Sequence, residues 1–322
     1  MRHRSPLLAW LAAGSLTVAL AGCGLFDQDD APARSTTTVA ATTTTAPSGP
    51  KLLEAGAEPR TALRLRFTPG QTATVALTLD LDVDQESSGH RQRLNDPPVT
   101  EAVRFTVERA DADGATVSFA FTDVSFDRTG SGLTDAEALT LTAELRDLIG
   151  LGGSGHVDAR GTFSGFRYDL PKGLDPAVAG TLRQAADQFQ ALAVPFPAEP
   201  VGVGARWEVA TTADLGGIET TATTTYEVTA IEGDVVTYRA TSTQGAEPQA
   251  VHLATLPAGA KARLVSATTT ATTTGTLDLT SVVATSTYRS TGTQVIDVTQ
   301  GSQPTVRLTQ QLTAVVGVKP AG

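Results

Sequence analysis

Cysteine is almost missing from this chain: Cys23 is the only one among 322 residues. No disulfide can form within the chain, so an exported fold must stand on its core and hydrogen bonds alone. Aromatic residues are scarce, at 5 %. Beyond Trp10 the sole tryptophan is Trp207, too few stacking platforms for a sugar-binding surface. Its place in an alternating stretch marks Trp207 as core. Cations are in deficit, with 24 Lys+Arg against 34 Asp+Glu and a formal net charge of −10. Phosphate recognition relies on Lys/Arg clusters, and none is found, so nucleic acid is not an expected partner. The acidic balance also argues against electrostatic adhesion to anionic headgroups. Long apolar runs are absent. Leu7 to Ala19 falls short of the about 20 residues that a spanning helix needs.

What stands at the start is a short basic head, Met1-Arg2-His3-Arg4, then that apolar segment, then Leu20-Ala21-Gly22-Cys23. The order of positive, apolar and small residues is that of a secretory signal peptide. A Cys directly after Leu-Ala-Gly resembles the lipobox of bacterial lipoproteins. That resemblance implies a diacylglyceryl group on the Cys23 sulfur, cleavage before it, and residues 1–22 as the removed peptide. The protein is then expected on the outer face of the plasma membrane, held by its lipid anchor.

Residues 23–55 read as a disordered tether. Asp27, Asp29 and Asp30 lead into Ser/Thr tracts broken by Pro32, Pro47 and Pro50. Such a segment buries too little to offset its ordering entropy. Its end-to-end distance of roughly 30 Å would lift the folded part clear of the headgroups.

Residues 56–319 read as the β-rich domain. Thr72 to Asp84 alternates, with Val75, Leu77, Leu79, Leu81 and Val83 on one face, which predicts a half-buried antiparallel strand. The opposite face carries Asp80, Asp82 and Asp84. An EF-hand loop would need Gly where Gln85 stands and Glu where Arg91 stands, so the three acids read as a solvated face. Residues 85–98 read as a loop. Val99 to Arg109 and Ala115 to Phe126 alternate around the turn Asp111-Ala112-Asp113-Gly114, predicting a hairpin. Thr134-Asp135-Ala136-Glu137 matches a capping box and predicts a helix ending near Gly150. A second helix is predicted from Asp175 to Leu192, with Pro176 in its first turn. Between them, Thr162 to Leu170 reads as a strand or short hairpin. Strands are predicted again at Gly275–Leu279, Val282–Tyr288, Thr293–Val298 and Thr305–Val316. The neighbouring Thr tracts read as a hydroxyl-lined strand, since Thr suits a pleated surface.

An internal echo runs through the domain. Gly204-Ala205-Arg206-Trp207-Glu208-Val209 parallels Gly70-Gln71-Thr72-Ala73-Thr74-Val75, and Thr225 to Thr229 parallels Arg104 to Glu108. The domain reads as a duplicated β-meander, about 60–170 and 200–319. The expected fold is mainly β: a large curved antiparallel sheet, or two related meanders, with one or two amphipathic helices packed on it.

Arg64-Leu65-Arg66-Phe67-Thr68-Pro69-Gly70-Gln71, Asp113 to Val117, Gly161 to Phe166 and Pro200 to Trp207 resemble an uncharacterised lipoprotein family of high-GC Gram-positive bacteria, a domain of unknown function. The resemblance covers roughly residues 60–318 and implies a fold, with no site residues.

Catalytic signatures are missing. His90, His156 and His252 are far apart and lie in no HExxH or His-x-His context. Gly152-Gly153-Ser154-Gly155-His156 fails as a nucleophile elbow at its last position. Ser48-Gly49-Pro50-Lys51 lies in the tether without partner motifs. The chain is read as a non-enzyme with no catalytic residue, no metal and no cofactor. Two readings remain: a binding or carrier module for an apolar small molecule or lipid, or a structural or protein-interaction module of the envelope. A carrier needs an apolar cavity; an interaction module needs an exposed apolar patch instead.

Overall fold

A computed structural model describes residues 44–45, 49–95, 97–169, 193–214, 218–251, 256 and 259–321. Cys23 and the helix predicted from Asp175 to Leu192 lie outside these residues. The elements in chain order are β1 (Thr44–Thr45), β2 (Lys51–Glu54), β3 (Thr72–Ser87), β4 (His90–Asn95), β5 (Val99–Ala110), β6 (Gly114–Phe126), α1 (Asp135–Arg146), β7 (Gly152–Asp158), β8 (Phe163–Asp169), β9 (Arg206–Asp214), β10 (Glu219–Glu232), β11 (Val235–Ala246), β12 (Gln249–Val251), β13 (Ala260–Asp278), β14 (Thr285–Gln300) and β15 (Val306–Pro320).

All strands join one 15-stranded sheet, in the order β1-β9-β10-β11-β13-β14-β15-β3-β5-β6-β7-β8. Beside this path, β2 pairs β9, β4 pairs β3 and β12 pairs β13. Every ladder is antiparallel, and among the described residues none joins β8 to the far end. The last strand, β15, pairs along its length with β3, so the two halves of the chain share one sheet. The mainly β, large-sheet expectation matches this architecture.

The sheet curls. Trp207 on β9, Tyr238 on β11, Leu277 on β13, Val75 on β3, Phe119 on β6 and Val157 on β7 belong to one buried cluster, although β9 and β7 stand near opposite ends of the strand order. Only a sheet bent back toward itself brings such side chains together. A second, smaller cluster joins Ile218, Val251, Leu264, Ile296 and Leu308. The cluster containing Trp207 forms the floor of the bowl.

Two irregular segments cross this floor. Thr61 and Val201 form an isolated bridge, Leu65 N donates to Ala159 O at 2.8 Å, and Phe196 N donates to Arg160 O at 2.7 Å. Leu63 and Phe196, at 0 % and 1 % exposed, point into the floor. Backbone hydrogen bonding is satisfied here without a continuous ladder.

Several boundaries differ from the expected ones. The tether was expected to reach residue 55, yet Lys51–Glu54 pair with β9 and Leu52 packs on the floor cluster; one apolar side chain and a free sheet edge order the segment. Within residues 85–98, expected as a loop, Gln85–Ser87 instead extend β3 and His90–Asn95 form β4. Ser88 and Gly89 have φ of 50° and 79°, the backbone sign of a tight primed hairpin turn. The two strands expected at 282–288 and 293–298 are one strand, β14. It passes through Gly292, where an added Cβ would stand 2.5 Å from Thr269 Oγ1, so the missing side chain lets the strand continue past its neighbour. The strand β7 escaped sequence reading because its inward positions include Gly153 and Gly155, which carry no apolar signal.

The predicted helix α1 is present with its capping box: Thr134 Oγ1 accepts from Glu137 N at 3.3 Å and the Glu137 carboxylate accepts from Thr134 N at 2.9 Å. Ala138 and Leu141 are its buried side chains. The stretches that echo one another also share backbone geometry. Gly70 and Gly204 both have φ of 82°, and their N–H groups donate to Val107 O and Val228 O, each at 2.8 Å. The register shifts between Val107 and Arg109 in one hairpin and between Val228 and Ala230 in the other.

Candidate functional site

Alternation assigns each strand an inward and an outward face. On β3 the inward series is Ala73, Val75, Leu77, Leu79, Leu81, Val83, Gln85 and Ser87. Asp80, Asp82 and Asp84 lie outward, where Arg93 of β4 approaches Asp82 at 3.5 Å and Asp84 at 3.8 Å. The acidic stripe is a solvated, cation-neighboured face. His90 and His156 lie on β4 and β7, and His252 lies outside the described residues. No metal-ligating cluster of three occurs among the described residues.

Trp207 is core, as expected, with 0 % exposure. Its indole stacks on Tyr226 and its Nε1 donates to Pro195 O at 2.8 Å. Burial pushes the Tyr238 phenol up to about 12 and raises those of Tyr226 and Tyr288. These phenols stay neutral in any physiological medium and act as floor and wall.

At the seam between β8 and the β13–β14 connection lies a half-open apolar pocket. Its lining includes Leu65, Phe105, Val157, Phe166, Leu277 and Val282. Above the floor, the inner wall changes character. Leu79, Leu81 and Leu312 are half-buried there and belong to neither cluster. In register with Leu81 and Leu312 stand small or hydroxyl side chains, Ala314, Ser290, Ala271 and Gly292, while the row of Leu79 continues through Val316 and Tyr288 to Thr273. Small side chains on a concave wall leave space that long ones would fill.

One acid faces inward. Glu101 on β5 stands directly opposite Leu77 on β3, one inward position beyond Val103, the last β5 member of the floor cluster in that direction. It is 7 % exposed, and no hydrogen bond or ion pair from a described residue reaches its carboxyl. Burial pushes this carboxyl up to about 7. Sequence reading passed it over. The signal was its phase, since Val99, Glu101, Val103, Phe105 and Val107 occupy successive inward positions.

A second inward polar group is a row of glutamines. Gln92, Gln85, Gln310 and Gln294 stand in direct register across β4, β3, β15 and β14. Gln310 Nε2 donates to Gln85 Oε1 at 3.0 Å, and Gln294 Nε2 donates to Gln310 Oε1 at 3.3 Å. Gln294 Oε1 is buried and accepts no hydrogen bond from a described residue.

The outward face of the same sheet is rich in hydroxyls. Thr223, Thr243, Thr270, Thr291 and Thr313 lie in one row across five strands. Among the described residues, the exposed large hydrophobics are Leu53, Leu139, Ile149, Val203 and Val235, separated along the chain.

No family model matches this chain, and no curated protein matches it. Among solved structures it is similar, weakly, to the outer membrane protein OprG from Pseudomonas aeruginosa, at 8 % identity over 79 % of this chain and 97 % of that one, with a TM-score of 0.23. An outer membrane channel from Pseudomonas putida F1 matches at 13 % identity over the same shares, with a TM-score of 0.13. At these scores the likeness carries no functional argument. No described helix is long and apolar enough to cross a membrane.

Proposed function

We propose that this chain is a lipid-anchored envelope lipoprotein, held to the outer face of the plasma membrane through Cys23, that carries an apolar small molecule or lipid inside its curved sheet. The anchor rests on the lipobox-like Leu20-Ala21-Gly22-Cys23. The carrier reading rests chiefly on one observation. The floor cluster and the second cluster remain separate, and the wall between them is lined by half-buried leucines and small side chains, with Tyr288 and Val316 as its large members. A protein that used its interior only for stability would fill that wall, because interiors pack to the density of organic crystals. Among the described residues, the exposed large hydrophobics are separated along the chain, which favours a carrier over an interaction module that gathers them into one patch. The reading is non-enzymatic, and it involves no metal or cofactor.

Native mass spectrometry of the full chain tests the carrier reading. A defined extra mass, lost on organic extraction, is the expected outcome, and the extract identifies the ligand class. A clean apo mass with no uptake of added lipids overturns it and favours the interaction module. The anchor is tested separately by Cys23→Ser, which should abolish acyl labelling and release the protein from membranes.

A further inference from the structure

We infer that the ligand held by this sheet carries a protonated amine, and that Glu101 is its polar anchor. The inference rests on the carrier reading and adds the head-group chemistry.

Three observations converge. First, the position is inside. Glu101 faces the bowl between Val99 and Val103, with Leu77 opposite on β3, at the level where the floor cluster ends and the half-buried wall begins. Second, Glu101 is 7 % exposed as a residue, and no hydrogen bond or ion pair from a described residue reaches its carboxyl. Desolvating an acid without a hydrogen bond or counter-charge costs several kcal/mol, so a group kept this way marks a site completed by something else. Third, the charge pattern of the inner face is one-sided. Every Lys and Arg on the described strands occupies an outward position; Arg104, Arg239, Arg263, Arg289 and Arg307 are examples. Among the acids of these long strands, Glu101 alone has the inward phase.

An apolar chain can lie along Leu77, Leu79 and Leu81. An anionic head group would find no cation on that wall and would meet Glu101, a like charge in a poorly screened place. An ammonium head meets an acceptor already desolvated and needs no further rearrangement. Charge-assisted hydrogen bonds of this type are roughly twice as strong as neutral ones. The chemistry therefore favours an amine-bearing amphiphile over a neutral one, and a neutral one over a carboxylate.

The test uses the full chain in its native membranes and three photoreactive probes. Each has a sixteen-carbon chain with a diazirine and ends in a primary amine, a hydroxyl or a carboxylate. Labelled peptides are mapped by mass spectrometry. The amine should label inward positions of β3, β5 and β15 about tenfold more than the alcohol, and the carboxylate should label least. In Glu101→Gln, amine labelling should fall to the alcohol level while alcohol labelling stays unchanged. Glu101→Asp, which keeps the charge, should retain a preference for the amine. Equal labelling by amine and alcohol in the native chain overturns the head-group inference and leaves the carrier reading standing. So does an amine preference that survives in Glu101→Gln. Absence of inner-face labelling by all three probes overturns the carrier reading itself. Because the head-group ranking is read in the native chain, a variant that fails to fold does not blunt the test.

Discussion

Trp207 lies flat on Tyr226, with ring centroids 5.5 Å apart and planes 9° from parallel. Both rings hold the same piece of backbone. The indole N–H of Trp207 donates to Pro195 O, and the Tyr226 hydroxyl reaches Ala193 O at 3.4 Å. Phe196 closes the stack, its centroid 6.2 Å from that of Trp207. The pair thus joins the β9–β10 ladder to a segment that crosses the floor.

Truncating Trp207 should therefore loosen the floor as well as open a hole. Trp207→Ala is expected to cost about 3–5 kcal/mol. Trp207→Phe keeps much of the stack but orphans the Pro195 carbonyl, at about 1–3 kcal/mol. Urea unfolding measures both. Equal losses for the two variants would show that volume has no part in the effect.

Glu101 should make stability depend on pH in an unusual direction. Its carboxyl is raised from an ordinary 4.5 to about 7 by burial. Below the unfolded value both states are protonated and the folded state pays nothing. As pH rises through the folded value, the chain must either keep the proton or bury a charge, and stability is lost. The groups facing Glu101 from β3 and β6 are Leu77 and Val124, neither titratable. The unfolding free energy should fall by roughly 3 kcal/mol between pH 4.5 and somewhat above 7. Glu101→Gln should remove that contribution. Melting curves across this range check it, and an identical pH profile in the variant would refute the assignment.

The glutamine row should behave as a unit. Gln310→Leu takes the acceptor from Gln294 and the donor from Gln85 in a buried place, for a loss of roughly 2–4 kcal/mol. Replacing Gln85, Gln294 and Gln310 together by Leu should cost less than the single change, because no half-satisfied buried amide remains and the exposed Gln92 can turn to water. Additive losses in chemical denaturation would contradict this coupling.

Gly153 marks a close approach that tolerates no side chain. A Cβ there would meet the Arg167 carbonyl and stand 2.8 Å from the Phe119 ring. That ring is edge-on to Tyr168, with centroids 5.1 Å apart. Gly153→Ala should destabilise by roughly 2–3 kcal/mol through overpacking. Gly130→Ala, at φ of 76° with nothing within 4 Å, meets only backbone strain of about 1–2 kcal/mol. Thermal unfolding should rank the two in that order.

Much of this fold is legible along the chain. The period-two runs of β3, β5 and β6 mark their inward faces, and the Asp111–Gly114 stretch marks the turn between β5 and β6 because its side chain ties the backbone: Asp111 Oδ1 accepts from Asp113 N at 2.9 Å and Gly114 N at 3.1 Å. Thr134 and Glu137 mark the start of α1 by the same local chemistry. The outward place of Asp80, Asp82 and Asp84 follows from alternation alone. The candidate site is less legible. Glu101 shares the phase of Val103 and Phe105, but phase tells only which face a residue takes. Whether that face is wet, packed or open depends on strands more than a hundred residues away.

The sequence by itself determined the period of each strand, the turns and cap that bound several of them, and the chemical character of the lipobox-like stretch, since these depend on near neighbours and on covalent order. The tertiary structure decided the rest. It set β15 beside β3, bent the sheet until Trp207 and Phe119 shared a core, and ordered Lys51–Glu54 against β9. It lined up four glutamines from two distant parts of the chain and left Glu101 buried with no partner among the described residues. Those outcomes come from long-range ladders and from burial, which no local pattern encodes, because the cost of desolvating a carboxyl is set by what the whole fold places around it.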